Sequence, residues 1–130
     1  MRKILFRAKH VDDGGVFANE WVCGDLCHYA NGTIFIRQQE TGSAFEVLQK
    51  TIGQSIGQKD RTGKDIYEGD IVECRGDICK VVYNDHFAGF ALDKKGWAYL
   101  HFFGEAFNNE DCAVIGNIYD NPELLKGGIE

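Results

Sequence analysis

The chain has 130 residues, 44% of them hydrophobic and 26% charged, with twenty acidic side chains against fourteen basic ones. That length suits one domain, or two small modules sharing a core, and buries about two thirds of the unfolded surface on folding. The net charge of −6 argues against nucleic-acid binding, which concentrates cations to neutralise phosphates, and Gly104 to Glu130 alone carries six acids and one base.

No stretch approaches the ~20 apolar residues that span a bilayer. Arg7 and Lys9 end the apolar run Ile4-Leu5-Phe6 too early for a signal peptide following Met1-Arg2-Lys3, so a cytoplasmic location is expected.

Sixteen glycines against one proline predict a turn-rich, mainly β fold of short antiparallel strands. Ile4, Phe6 and Ala8 alternate with Leu5, Arg7 and Lys9 as a first strand. Asp12 to Gly15 is a loop, and Val16 to Tyr29 reads as one long or bent strand with Gly24 as a bulge or break. Asn31-Gly32 is the strongest local signal. A two-residue type I′ turn there puts Ala30 opposite Thr33, Tyr29 opposite Ile34 and His28 opposite Phe35, with Thr33 to Arg37 as the return strand. Ala44 to Lys50 fits either a strand, by the alternation of Phe45, Val47 and Gln49, or one helical turn.

Asp60 to Lys64 reads as a turn in which Gly63 supplies a left-handed φ, and Tyr67 to Asp70 as a second turn launching the strand Ile71 to Cys74. Gly76-Asp77 offers a type II′ hairpin turn, which would set Arg75 opposite Ile78 and Cys74 opposite Cys79. Further strands are expected at Cys79 to Tyr83, Phe87 to Leu92, Trp97 to Phe103 and Cys112 to Tyr119. Turns at Asn84-Asp85 and Lys94-Lys95-Gly96 separate the first three. A helical turn closes the chain: Asn121 as N-cap, Pro122 at the first position, Glu123 at the positive end of the dipole, Leu124 and Leu125 inward, Gly127-Gly128 as the stop.

The passage from Thr51 to Val72, with Ile52-Gly53-Gln54, Asp60-Arg61-Thr62-Gly63-Lys64 and Ile66-Tyr67-Glu68-Gly69-Asp70-Ile71-Val72, resembles the signature of the YopX family. Met1 to Arg7 resembles the family's opening and Val114 to Leu125 its close, whereas residues 10–50 and 74–113 resemble it loosely. Within the signature, Ile56 stands where the family usually has Thr and Gln58 where it usually has Leu. The resemblance implies a gene carried by a phage or prophage and a mainly β, self-associating protein; it implies no activity. It also marks Asp60, Gly63, Lys64, Tyr67, Glu68, Gly69 and Asp70 as signature residues that could form an interaction surface.

The expected layout is a single unit in three parts. Residues 1–56 form an N-terminal β element, 57–119 an SH3-like barrel, by analogy with its spacing of turns, and 120–130 the helical turn and tail.

Several groupings invite a chemical reading. Asp60, Asp65, Glu68 and Asp70 could hold a divalent cation or divide acid and base roles. They stand beside glycines and among Lys50, Lys59, Arg61 and Lys64, which favours carboxylates that complete turns. Cys23, Cys27, Cys74 and Cys79 fall within loose zinc spacing, but an odd total of five suits reduced, buried thiols better. His10, His28, His86 and His101 are scattered, and neither Ser43 nor Ser55 lies in a nucleophile elbow. Gly53, Gly57, Gly63 and Gly69 match no phosphate-loop pattern. Trp97, Tyr99, Phe102 and Phe103 could stack on bases but suit a core or a subunit interface better.

No cofactor and no metal is expected. The leading expectation is an accessory protein without enzymatic activity, acting as a homo-oligomer on an unidentified host or phage protein. A nucleic-acid-binding β-barrel is the first alternative, and a metal-dependent enzyme using the Asp60, Asp65, Glu68 and Asp70 group is the second.

Overall fold

A computed structural model describes residues 4–105 and 107–126. Met1 to Lys3 and the Gly127-Gly128 stop therefore lie outside the described residues. The chain divides into two compact units, Met1–Gly57 and Gln58–Glu130.

The first unit is built on β1 (Phe6–Lys9), β2 (Trp21–His28), β3 (Ile34–Arg37), β4 (Ala44–Glu46) and the first part of β5 (Gly53–Lys59), in the order β4-β3-β2-β1-β5. All the pairings are antiparallel. The period-two pattern of the strands buries Ala8, Val22, Ile34, Ile36 and Val47 on one face, with Phe6, Leu26, Phe45 and Ile52 packed against them. The ambiguous segment resolves into both candidates: Ala44–Glu46 is strand, and Gln49–Thr51 is a single 3₁₀ turn.

Two expectations in this unit are corrected. Val16 to Glu20 is a turn rather than the start of a long strand: Ala18 N–H donates to the Gly15 carbonyl and Glu20 N–H to that of Phe17, Asn19 has φ 63°, and Val16 is 87% exposed. Apolar composition there encodes no core position. The Asn31-Gly32 hairpin exists, but its loop has three residues. Tyr29 N–H donates to the Thr33 carbonyl, so His28 faces Ile34 and Cys27 faces Phe35. Asn31 Oδ1 accepts from the Thr33 amide and hydroxyl, while Gly32 alone takes the left-handed φ of 90°. Gly24 does not break β2. It lets the strand approach Arg37, whose carbonyl oxygen would lie 2.1 Å from a Cβ at that position.

The second unit contains the end of β5, β6 (Asp65–Tyr67), β7 (Asp70–Cys74), β8 (Asp77–Asn84), β9 (Gly89–Asp93), β10 (His101–Phe102) and β11 (Cys112–Asn117). Five of these form an antiparallel sheet in the order β10-β9-β8-β7-β11. The sheet does not close into a barrel, which corrects that part of the expected architecture. Ile71, Val72, Cys79, Val81, Ala91, Leu92 and Cys112 are buried in it.

The turn between β7 and β8 is Arg75-Gly76, with φ of 53° and 90°, not Gly76-Asp77. Both central φ values are positive, as in type I′, so Cys74 faces Asp77, Glu73 faces Ile78 and Val72 faces Cys79. The Glu73 carboxylate accepts the Gly76 amide at 2.7 Å and holds the turn in place. The strand expected from Trp97 shrinks to His101–Phe102, because Trp97 closes a turn on the Lys94 carbonyl and stacks on His101 at 4.1 Å. The segment Pro122–Leu125 is a 3₁₀ turn. Asn121 precedes it, but its side chain accepts the Asn117 amide instead of capping the turn.

Candidate functional site

The signature residues lie in the second unit, at two corners. The first corner joins β5 to β6. Asp60 N–H donates to the Lys64 carbonyl, Gly63 N–H donates to that of Asp60, and Gly63 has φ 90°. Asp60 is only 5% exposed. Its Oδ1 accepts the Thr62 amide at 2.8 Å, the Thr62 hydroxyl at 2.7 Å and the Lys64 amide at 2.9 Å. Its Oδ2 accepts the Val114 amide of β11 at 2.7 Å. Burial works against the charge, yet the hydrogen bonds from Val114, Thr62 and Lys64 outweigh it and lower this carboxyl to about 2.

Neighbouring residues tie the same corner to β11 and β7. Arg61 N–H donates to the Cys112 carbonyl, and the Arg61 guanidinium reaches the Asp111 carbonyl and Glu73 Oε1. The Asn109 side-chain amide donates to the Lys59 carbonyl. Asp65 pairs with Lys59 at 2.9 Å on the surface.

At the second corner Asp70 is buried, and its Oδ2 accepts the Tyr67 amide at 2.7 Å. Gly69 has φ 92° and is wedged against Tyr119, 3.2 Å from where a Cβ would stand. Its amide donates to the Val81 carbonyl, and its carbonyl accepts from Ile118. Glycine is required there by conformation and by space.

Of the seven signature residues, Asp60, Tyr67, Gly69 and Asp70 are therefore buried, Glu68 is half-buried, and Gly63 and Lys64 are exposed. The structure brings Asp60 and Asp65 to opposite sides of one turn rather than to one center. Among the described residues no group of three or more His, Cys, Asp or Glu is placed to hold a metal ion.

The cysteines divide by unit. Cys23 is exposed and Cys27 half-buried in β2. Cys74, Cys79 and Cys112 are buried, and Cys74 faces Cys112 across β7 and β11. Burial pushes the Cys79 thiol up to about 12 and raises those of Cys74 and Cys112 as well, which removes their thiolate chemistry at neutral pH. All five are free thiols.

One surface escapes sequence reasoning altogether. Lys80, Lys94, Lys95 and Lys126 line a cleft of about 890 Å³ in the second unit, together with the apolar Ile78, Pro122 and Leu125. The Lys94-Lys95-Gly96 turn is the one local trace of it, and two lysines on a turn are ordinary surface.

Two solved structures resemble the whole chain. Protein yopX from Bacillus subtilis is 22% identical, with a TM-score of 0.59, covering 98% of this chain and 98% of that one. Protein EF1440 from Enterococcus faecalis is 23% identical, with a TM-score of 0.53, covering 96% of this chain and 99% of that one. At such identities the likeness speaks for the fold. No curated protein matches. The family model described as YopX protein matches residues 5–126, which takes in both signature corners and the β11 strand that anchors the first of them. The chain belongs to the YopX family.

Proposed function

We propose that this chain is an accessory protein of a phage or prophage, without enzymatic activity, that acts in the host cytoplasm through protein contacts as a homo-oligomer. The observation that carries this reading is a group of exposed aromatic side chains in the second unit. Phe87 is 68% exposed at the β8–β9 turn, with its ring edge-on to Phe102 at 5.6 Å. Tyr83, also exposed, packs edge-on to Phe90 at 5.1 Å on the same hairpin. Exposed aromatics grouped on one short hairpin are what a subunit contact covers.

The carboxylate of Asp60 favours this reading over the enzyme. Both oxygens of Asp60 already accept hydrogen bonds, and Asp70 is buried against the Tyr67 amide. The four-strand meander β7 to β10, with β11 returning beside β7, fits an SH3-like sheet and keeps the nucleic-acid module as the second reading.

Light scattering coupled to size exclusion, over a wide concentration range, tests the first reading. Self-association that is lost in a Phe87→Ser, Tyr83→Ser double variant is the expected result. A strict monomer at every concentration would remove it. Oligonucleotide binding at low salt, where electrostatic affinity is greatest, would favour the second.

A further inference from the structure

Charge is segregated within the second unit. Residues Gln58 to Glu130 carry eight Lys or Arg and fourteen Asp or Glu, so this unit holds the whole net charge of −6. Four of those eight cations, Lys80, Lys94, Lys95 and Lys126, line one cleft, together with a single acid, Asp93. Everything else in the unit therefore sums to −9. Four cations in one concavity of so acidic a unit form a local field of opposite sign to their surroundings.

Not all four are equally available. Lys94 is engaged by Asp77 at 2.7 Å, and Lys80 stands opposite Asp93 in the β8–β9 register. Among the described residues, no carboxylate pairs with Lys80, Lys95 or Lys126 within 4.0 Å. The lining also has apolar members: Ile78 and Leu125 are half-buried and Pro122 is exposed. The site thus combines apolar side chains and cations in one lining. A ligand that fills it has an apolar side chain to bury and carboxylates to place beside the lysines.

We propose that this cleft binds a short acidic peptide segment of a partner protein, with an apolar side chain seated on Ile78, Pro122 and Leu125 and flanking carboxylates at Lys80, Lys95 and Lys126. The surrounding charge selects this occupant over nucleic acid. A DNA or RNA strand extends its phosphates beyond the cleft into a surface dominated by carboxylates, whereas a segment of a few residues ends within the lysine field. The volume, about 890 Å³, matches a handful of side chains and not an extended polymer. The site stands apart from the proposed self-association: it uses the Asp93 end of β9, and the exposed Phe87 precedes the opposite end at Gly89.

Fluorescence anisotropy on the intact chain provides the test. The probe is a fluorescein-labelled peptide of about eight residues alternating Glu and Leu. Its controls are Gln/Leu and Lys/Leu peptides of equal length and a labelled oligothymidylate. Saturable binding of the acidic peptide, weakened at least tenfold by Lys95→Glu or Lys126→Glu and unchanged by Lys59→Glu outside the cleft, is the expected result. Affinity should fall further as salt is raised from about 50 to 300 mM. Absence of binding at low salt, equal binding of the neutral peptide, or indifference to both cleft reversals overturns the proposal. Tighter binding of the oligothymidylate overturns it in favour of nucleic acid. Since both reversals are of exposed side chains, an unaltered melting curve separates lost binding from lost folding, and sizing of the same variants separates it from lost self-association.

Discussion

Two corners of this molecule share one backbone design and differ in the residue that opens them. In the first unit Tyr29 begins a three-residue loop closed by Gly32; in the second Asp60 begins one closed by Gly63. Each has an amide-to-carbonyl bond across the loop, from Tyr29 to Thr33 and from Asp60 to Lys64, and each glycine has φ 90°. A side-chain oxygen organises both, but from different places. Asn31 does so from inside its loop and reaches only Thr33, whereas Asp60 reaches Thr62, Lys64 and, across to β11, Val114. The local turn is thus a matter of glycine and short-range hydrogen bonds. Its attachment to the rest of a unit draws on the Asp60 carboxylate together with the bonds of Arg61 and Asn109.

The largest expected effect isolates that carboxylate. Asp60→Ala strands the Thr62, Lys64 and Val114 amides and should cost about 3 kcal/mol, read by urea denaturation. A loss comparable to that of a surface substitution would erase the distinction between the corners.

Acid sharpens the comparison next. The folded carboxyl, at about 2, lies below its ordinary 3.8, so the stabilisation it provides is complete well above pH 4 and is lost as pH falls through about 2. The wild type should lose about 2 kcal/mol over that window from this group, and Asp60→Asn should show a correspondingly flatter acid limb.

Gly63→Ala and Gly32→Ala come third. Neither position has an atom within 4 Å of an added Cβ, so both pay only for the left-handed backbone, about 1 kcal/mol each. Unequal costs would show that the two loops are not equivalent after all. Asn31→Ala should be the mildest, about 0.5 kcal/mol, because its partners at Thr33 are exposed and water replaces the lost bonds.

The same pair shows what a sequence reader can see. Both turns are legible from their glycines, and the alternation of β1 and the short apolar runs of β3 and β7 mark their strands. Loop length is not legible at Asn31, because the Asn side chain bonds to Thr33 and the residue keeps a negative φ, which adds a residue to the expected loop. The β7–β8 register is hidden for a related reason: Arg75 adopts a left-handed φ that its residue type disfavours, held by a bond between Glu73 and Gly76. The Asp60–Val114 bond links residues 54 apart, and the lysine cleft assembles residues from Lys80 to Lys126; no local pattern encodes either.

The partition of thiols has a practical outcome. A maleimide dye added to the native protein will react at Cys23 and, more slowly, at Cys27, leaving Cys74, Cys79 and Cys112 protected inside their sheet. A fluorophore so attached reports from the first unit alone, while delayed modification of the other three becomes a clock for opening of the second. Without a single engineered residue, the chain offers separate spectroscopic handles on its two halves.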